Sequence, residues 1–244
     1  MIINLGAYRC LCLSTSRPVI GITCPSRPTK WAKWELDAVV LPTTYHKMVV
    51  RCGGIPMLIP PGTSAEIIER IDGLIVSGGP DISPEIYGQE NGNFTLETYP
   101  EQDISEIALI KSAIKENLPL LCICRGFQLL CAIHNGVLHQ HLPETDGFEE
   151  HGGWDGNVTE HGVEIIAGSK LEEIMGSKII VNSTHHQGVK DPGSLKVTAF
   201  STPDGLIEAV ELDELSFGIG VQWHPERIEH VSLYQAFINS ARGS

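Results

Sequence analysis

Short runs of aliphatic and β-branched residues alternate with amphipathic segments along the first part of the chain. Apolar runs that end at Gly, Pro or a polar turn are typical of buried strands, and the predicted strands lie at 18–23, 55–59, 72–76 and 119–123. A Pro-rich loop is expected after the first of them. Apolar positions with helical spacing predict helices, which lie at 44–52, 64–70, 103–115 and 125–134. Strands that alternate with helices form a parallel sheet covered on both faces.

The pattern changes after about residue 155 and becomes β-rich. The strands predicted there lie at 158–166, 178–181, 195–201, 206–211 and 217–221, and a final helix at 231–241. The chain shows no internal repeat and no low-complexity tract. We therefore predict one α/β domain, a flavodoxin-like three-layer sandwich with a mostly parallel central sheet and a β-rich C-terminal half.

Composition narrows the classes of partner. The net charge is −13 with only 17 Lys and Arg in 244 residues, which argues against nucleic acid as a partner because its phosphates need a basic surface. Apolar runs stay short of the roughly 20 residues that span a bilayer, so no membrane partner is expected. Seven cysteines, an odd number partly within apolar runs, favour reduced thiols in a cytoplasmic protein.

Residues 1–17 are interpreted as an N-terminal extension that precedes a single domain at 18–244. This segment contains Arg, Ser and Thr but no acidic residue, a composition that an organellar transit peptide would also have. We favour an extension without a targeting function over organellar import.

Cys124 lies between a predicted strand that ends at Ile123 and a predicted helix that begins near Arg125, with Gly126 two residues further on. This strand–turn–helix arrangement is typical of a nucleophile elbow. It exposes the side chain at the carboxyl edge of the sheet, where open α/β folds bind ligands. The positive end of the helix dipole also favours the thiolate. A buried structural cysteine is the alternative for Cys124 taken alone.

His224 and Glu226 follow the last predicted strand, with Pro225 between them. A thiol nucleophile needs an imidazole that takes its proton and later protonates the leaving amine. The imidazole in turn needs a carboxylate that fixes its tautomer. Proline keeps this stretch extended, and side chains two residues apart in an extended segment point the same way. We therefore predict that Glu226 orients His224, which serves Cys124.

Several motifs together resemble the class-I glutamine-amidotransferase-like superfamily, and within it the γ-glutamyl-γ-aminobutyrate hydrolase branch. The nucleophile motif is Cys-Ile-Cys-Arg-Gly-Phe-Gln at 122–128, and the base motif is Gln-Trp-His-Pro-Glu at 222–226. Arg125 directly after the nucleophile points to that branch. The further matching segments are 77–82 with 87–88, 181–187 and 203–211. The resemblance extends over residues 18–236.

This resemblance implies a role for each matching residue. Cys124 would be the acylated nucleophile, His224 the base and acid, and Glu226 the orienting carboxylate. The backbone N–H groups of Gly79 and Arg125 would form the oxyanion hole. The side chains expected to line the pocket for the glutamyl group are Gln128, His185, His186 and Gln187. No cofactor is implied, no metal site is expected because zinc-like ligand spacing is missing, and a homodimer is a family-level expectation.

The chain also departs from the pattern of the branch. Cys122 stands two residues before the nucleophile, where Gly is usual; Cys is small enough to be tolerated there, although any β-carbon could crowd or reshape the elbow. The other departures are Gln102 before Asp103, Asn135 in a usual Gly-Gly turn, and His139 and His141 where Tyr and Asp are usual. They put the specificity for the amine half of the substrate in question.

The sequence predicts hydrolysis of the γ-glutamyl amide bond of a small molecule through a thioester on Cys124, and it leaves three alternatives open. The protein could be a glutaminase subunit that delivers ammonia to a partner synthase, a catalytically silent binding protein with the same fold, or a γ-glutamyl transferase. The loop at 144–160, rich in Gly, His and acidic residues, is a candidate lid over the amine half of the substrate.

Overall fold

The computed structural model describes residues 17–148, 151–153, 156–228 and 230–243. The strands in this part of the chain are β1 (Val19–Thr23), β2 (Ser26–Trp31), β3 (Trp34–Val39), β4 (Ile55–Ile59), β5 (Gly73–Val76), β6 (Leu120–Ile123), β7 (Val137–His139), β8 (Thr159–Ile165), β9 (Lys178–Ser183), β10 (Gly188–Asp191), β11 (Lys196–Ser201), β12 (Ile207–Glu211) and β13 (Gly218–Val221). The α-helices are α1 (Thr43–Arg51), α2 (Pro100–Lys115), α3 (Arg125–Ile133), α4 (Lys170–Met175) and α5 (Val231–Arg242). Short 3₁₀ helices lie at Ala65–Arg70, Pro84–Tyr87 and Leu142–Glu144.

The central sheet joins a parallel half to an antiparallel half. Its strand order is β4-β1-β5-β6-β13-β12-β11-β8-β9, with β10 and β7 attached beside β12. The strands from β4 to β13 are parallel, and those from β13 to β9 are antiparallel. The predicted α/β class, with a large parallel sheet and a β-rich C-terminal half, is confirmed.

Strand β6 shows how the sheet is covered on both faces. Leu121 and Ile123 pack with residues of α1 and α5, whereas Leu120 and Cys122 pack with residues of α2 and α3. The side chains alternate because successive residues of a strand point to opposite faces. All four are fully buried, and burying one aliphatic side chain of this kind contributes about 1.5–3 kcal/mol. Strand β6, which Cys124 directly follows, is therefore held by packing on both faces of the sheet.

The segment predicted as a Pro-rich loop after β1 is instead a β-hairpin, and that prediction is wrong. Strands β2 and β3 pair along their whole length, from Ser26 with Val39 to Trp31 with Trp34. Their side chains are mostly exposed, so the segment lacks the alternation of apolar and polar residues that marks a half-buried strand. The sequence analysis also missed α4, β7 and β10, and the helix predicted at 64–70 is a 3₁₀ helix.

The predicted N-terminal extension lies outside the described residues except for Arg17, whose guanidinium donates to the carbonyl of Gly54 at 2.6 Å. Across the described ranges, no helix combines the length and the apolar character needed to cross a bilayer.

Candidate active site

Cys124 occupies a strained turn between β6 and α3. Its φ is 53° and its ψ is −109°, a conformation that an L-residue adopts only when the surrounding structure enforces it. The backbone is held on both sides, because the Cys124 N–H donates to the Val221 carbonyl at 2.8 Å and the Gln128 N–H donates to the Cys124 carbonyl at 3.0 Å. These contacts fix the side chain at the carboxyl edge of the sheet, as expected for a nucleophile elbow.

The residues on either side of Cys124 explain how such a tight turn between β6 and α3 can form. A β-carbon at Gly126 would lie 2.4 Å from the backbone carbonyl oxygen of Val76, so only glycine lets α3 approach β5 this closely. Cys122 does not crowd the turn. It packs on the opposite face of the sheet, in the core formed with α2 and α3, whereas Cys124 belongs to the core on the other face. Of the two possibilities that the sequence left open, the structure therefore has the tolerated one.

His224 and Glu226 form a buried pair directly after β13. The Nδ1 atom of His224 lies 2.7 Å from Oε1 of Glu226, so Nδ1 carries the proton and Nε2 is left for the thiol. The backbone of His224 is clamped by Asn182, whose amide accepts from the His224 N–H at 2.9 Å and donates to the His224 carbonyl at 3.0 Å. Asn182 lies in the motif at 181–187, but nothing in the sequence indicates that it binds the backbone of His224.

The electrostatics of His224 favour its charged form. Burial alone would lower the pKa of the imidazole, but the charge of Cys124, a hydrogen bond to Cys124 and the contact with Glu226 together raise it to about 9. A charged imidazole beside a thiolate is the resting arrangement of an activated cysteine. The structure thus brings Cys124, His224 and Glu226 together across a hundred residues of sequence.

Tyr45 is a further buried polar residue of this centre. Its hydroxyl accepts a hydrogen bond from the Gly78 N–H at 2.9 Å and lies 3.4 Å from Nδ1 of His224. Burial and the negative charge of Glu226 raise the pKa of Tyr45 well above its usual value, so it stays a neutral hydroxyl. The sequence analysis assigned Tyr45 only to a helix, because nothing in its neighbourhood in the sequence marks it as more than a core residue.

Gly79 and Arg125, the predicted oxyanion-hole residues, lie side by side. Gly79 lines the cavity beside Cys124, and Arg125 is the first residue of α3, where a backbone N–H has no partner within the helix. A β-carbon at Gly79 would lie 2.9 Å from Cδ of Arg125. The loop and the N-terminus of α3 are therefore in direct contact. Gly79 lines the same cavity as Cys124, and Arg125 follows Cys124 directly in the chain.

A cavity of about 530 Å³ opens next to the thiol. It is lined by Cys124 and His224, by the Gly-rich loop at 78–80, and by residues of the β2–β3 hairpin and of the loop before β8. The lining residues are Pro25, Arg27, Pro42, Tyr45, Gly78, Gly79, Pro80, Cys124, Gly153, Gly156, Asn157, Val158, Thr184, His224 and Arg227. Its charged side chains are Arg27 and Arg227, and no Asp or Glu lines it within the described part of the chain.

The four side chains predicted to contact the glutamyl group lie behind the cavity wall. Gln128, His185, His186 and Gln187 are buried and do not line the cavity. Gln128 donates to the carbonyl of Gln187 and to Oε1 of Gln222, both at 3.1 Å. His186 contacts Asp81 at 2.9 Å through Nε2. These contacts hold the four side chains in the buried layer, and their contact with a substrate stays a prediction.

Gln222 connects this buried layer with the nucleophile. Its Nε2 donates to Cys124 Sγ at 3.7 Å, while its Oε1 accepts from Gln128. Gln222 was quoted in the base motif without a role. The Gln222 amide thus donates to the sulfur while its own orientation is fixed by Gln128.

Comparison with solved structures and curated proteins first gives the class. A glutamine amidotransferase from Thermotoga maritima matches with a TM-score of 0.58 over 86% of this chain and 77% of that chain, at 15% identity. The fold is therefore that of the glutamine amidotransferases. The model of the Peptidase C26 family matches residues 18–226, and the chain belongs to this family.

Two curated relatives agree with this membership. The protein NtpR of Enterococcus hirae is 40% identical over 193 residues, which is 76% of this chain and 80% of that protein. A γ-glutamyl-γ-aminobutyrate hydrolase of Escherichia coli O157:H7 is 34% identical over 227 residues, 86% of each chain. The chain is accordingly a glutamine-amidotransferase-like hydrolase that acts on amides.

Proposed function

We propose that this protein hydrolyses the γ-glutamyl amide bond of a small γ-glutamyl compound, with Cys124 as the nucleophile. The observation that carries the proposal is the hydrogen-bonded series from Cys124 through His224 to Glu226 at the wall of a 530 Å³ cavity. A nucleophile, its base and an orienting carboxylate in contact are the minimum for acyl transfer to sulfur.

The first half of the reaction forms a thioester. The Cys124 thiolate attacks the γ-carbonyl carbon, and the C–N bond then breaks as the His224 imidazolium donates its proton to the departing amine. His224 is suited to this step because its pKa of about 9 keeps it protonated at neutral pH. The products are a γ-glutamyl thioester on Cys124 and the free amine.

The second half releases glutamate. Neutral His224 takes a proton from a water molecule, whose oxygen attacks the thioester carbonyl. The C–S bond breaks, and the thiolate–imidazolium pair is restored. In both halves the carbonyl oxygen becomes an oxyanion, and the adjacent backbone N–H groups of Gly79 and Arg125 are the donors we assign to it. Loss of one such donor costs about 2.7–4 kcal/mol of transition-state stabilisation in other hydrolases.

The charge of the cavity supports an anionic substrate. Arg27 and Arg227 are the charged side chains that line it, and a guanidinium can bind a carboxylate through two parallel hydrogen bonds. Arg27 is held over the ring of Tyr99 at 3.3 Å from its centroid and donates to Gln102 at 2.8 Å. A γ-glutamyl group brings its own α-carboxylate to this cavity.

Two other functions remain alternatives. A glutaminase subunit would release ammonia only in the presence of a partner synthase, and a silent binding protein would keep the fold without reactivity at Cys124. The raised pKa of His224 and its contact with Cys124 favour a reactive centre over a silent one. A homodimer is also proposed from the family alone.

The decisive experiment incubates the protein, without any partner, with a panel of γ-glutamyl amides that includes glutamine. Free glutamate and the released amine are both quantified, and Cys124→Ser is the matched control. We expect stoichiometric release of the two products by the wild type and none above background by the variant. Release that occurs only after a partner is added would support the glutaminase subunit instead, and full activity of the variant would refute the proposal.

A further inference from the structure

A fully buried carboxylate lies outside the cavity, on strand β12. Glu208 has no exposed surface, and among the described residues neither of its oxygens accepts a hydrogen bond with good distance and angle. An ionised carboxylate in a protein interior must be compensated by a positive charge or by hydrogen bonds. Glu208 takes no part in the proposed catalytic steps, so the groups that compensate its buried negative charge have to be identified separately.

Three histidines surround this carboxylate. Oε1 of Glu208 lies 3.2 Å from Nε2 of His161, 3.9 Å from Nδ1 of His151 and 4.0 Å from Nε2 of His185. All three imidazoles are buried. They come from different segments, since His161 lies on β8, His185 follows β9, and His151 lies in the loop before β8. This dispersion is why the sequence showed no metal-ligand spacing.

The outer nitrogens of two of these rings are held by acceptors. Nε2 of His151 lies 2.7 Å from Oδ2 of Asp204, and Nδ1 of His185 lies 2.8 Å from the carbonyl of Gln187. Each of these contacts requires a proton on the outer nitrogen. Neutral rings then turn their unprotonated nitrogens, Nδ1 of His151 and Nε2 of His185, toward Glu208. A metal-binding histidine has this same arrangement, with its other N–H donated to a carboxylate or carbonyl.

The hydroxyl of Ser183 does not supply the missing proton. Its oxygen lies 2.9 Å from Nε2 of His185, but it is closer to the carbonyl of His151, at 2.6 Å, to which it donates. Two imidazole lone pairs and a carboxylate therefore converge, and Nε2 of His161, 3.2 Å from Oε1 of Glu208, is the imidazole nitrogen that remains able to donate to the carboxylate. The converging atoms of His151, His185 and Glu208 all lie within 4.8 Å of one another.

We propose that a divalent transition-metal ion of the zinc class binds between Glu208, His151 and His185, with His161 as the fourth ligand. Zinc takes imidazole nitrogen and carboxylate oxygen at about 2.0–2.2 Å in tetrahedral sites. A bound ion would draw the four groups inward from their present spacing and would neutralise the buried carboxylate. With four protein ligands the site is closed, so it has a structural role and no open position for a substrate.

The ion would fasten the candidate lid to the body of the protein. His151 is the one ligand from the loop at 144–160, and the same loop supplies Gly153, Gly156 and Asn157 to the lining of the cavity. The other ligands lie on or next to the antiparallel strands β8, β9 and β12. Metal binding at this site would therefore set the position of the cavity wall without contact with the reacting atoms.

The test measures binding of Co²⁺ to the full-length, metal-stripped protein, because tetrahedral Co²⁺ has strong visible absorption bands. All proteins carry Cys124→Ser, which removes the thiolate of the active site as a competing ligand. We expect one Co²⁺ per chain, displaced by Zn²⁺, and a rise in the melting temperature on addition of Zn²⁺. Glu164→Gln, an exposed substitution on β8, is the matched control and should bind as its parent does.

Two variants make the outcome decisive. Glu208→Gln should abolish the absorption bands and the Zn²⁺-dependent rise in melting temperature. Asp204→Asn, which keeps every ligand, should weaken binding by about 10–100-fold, as loss of an outer hydrogen-bond partner does at other metal sites. Circular dichroism confirms that each variant is folded. A folded parent that binds no stoichiometric Co²⁺, or a Glu208→Gln variant that binds as the parent does, would overturn the proposal; protonated histidines would then balance Glu208.

Discussion

Arg125 and Asp103 form an ion pair that is buried to the same degree on both sides, with 1% of each side chain exposed. The other end of the Arg125 guanidinium pairs with Glu106, one turn further along α2. Asp103 also accepts from the hydroxyl of Ser83 at 2.6 Å, and Glu106 accepts from Gln102 at 3.0 Å. The residue that follows Cys124 in the chain is thereby anchored to α2, which packs beside α3 on the same face of the sheet.

This anchor predicts the effect of Arg125→Met on stability. The substitution keeps much of the buried volume but leaves two carboxylates without their cation, and breaking a buried pair from one side costs about 3–5 kcal/mol. Urea unfolding followed by circular dichroism gives the free energy of unfolding. Lys115→Met, at an exposed position of α2, is the control and should change the free energy of unfolding by less than about 0.5 kcal/mol. A loss below about 1 kcal/mol for Arg125→Met would contradict a stabilising role of this buried anchor.

A second prediction concerns the pH dependence of hydrolysis. The pKa of His224 lies at about 9, above its ordinary value of 6.5, so the protonated imidazole stabilises the folded protein fully below about pH 6.5 and this contribution is lost as pH rises through 9. The same deprotonation removes the acid that protonates the leaving amine. We expect kcat/KM to fall on the alkaline side with an apparent pKa near 9.

The Glu226→Gln variant should move that alkaline limb to lower pH, because Gln removes both the charge and the charge-assisted hydrogen bond that raise the pKa of His224. It should also lower kcat/KM at pH 7 by about 10²–10⁴-fold, the usual contribution of an acid–base catalyst. The measurement is a pH–rate profile of both proteins on the same γ-glutamyl amide. Glu173→Gln, at an exposed position, should leave the profile unchanged. An unshifted limb in Glu226→Gln would show that another group titrates there.

The elbow could be predicted from the sequence because its signals are local. A strand, a nucleophile, a small residue and a helix follow one another directly along the chain, and the structure has them at Leu120–Ile123, Cys124, Gly126 and Arg125–Ile133. His224 and Glu226 were found for the same reason. Tyr45 and His224, by contrast, are 179 residues apart in the sequence, and no local sequence pattern predicts a contact over that separation.

Other features could not be predicted, for equally physical reasons. The histidines at 185 and 186 are predicted to contact the substrate because they stand in a recognisable motif, but a motif does not fix the direction in which its side chains point. The structure turns both inward, toward Glu208 and Asp81, and leaves Thr184 at the cavity. The β2–β3 hairpin was missed because it is held by backbone pairing and not by burial of an apolar face.

Tyr45 is expected to position the catalytic centre through its hydroxyl. In Tyr45→Phe the Gly78 N–H loses its acceptor, and a lost hydrogen bond of this kind costs about 1–1.5 kcal/mol, or roughly a tenfold fall in kcat. KM should change little, because the hydroxyl lies beside His224 and Gly78. Tyr234→Phe is a matched control: this tyrosine is also buried, but its hydroxyl has no hydrogen-bond partner among the described residues. Equal effects of the two variants on kcat would contradict a specific role for Tyr45.

The last prediction follows from the backbone at the nucleophile itself. With φ at 53°, Cys124 is in a region that L-residues avoid, and such strain costs about 1–3 kcal/mol. Cys124→Ala keeps the β-carbon and the strain, whereas Cys124→Gly relieves it. Both variants lose the thiol, so their comparison isolates the backbone. We expect the glycine variant to be the more stable by about 1–3 kcal/mol in urea unfolding.

Cys131 provides the control. Because it lies within helix α3, its Gly and Ala variants should have the opposite order of stability. There the Gly variant should be less stable than the Ala variant by about 0.5–1 kcal/mol, the ordinary effect of glycine in a helix. If glycine also destabilises position 124, the turn is not strained and the elbow is simply the preferred local conformation. If glycine stabilises that position, the turn is strained, and the proposed role of the Cys124 sulfur as a nucleophile would explain why a less stable turn is kept, since stability and activity are often balanced at active sites.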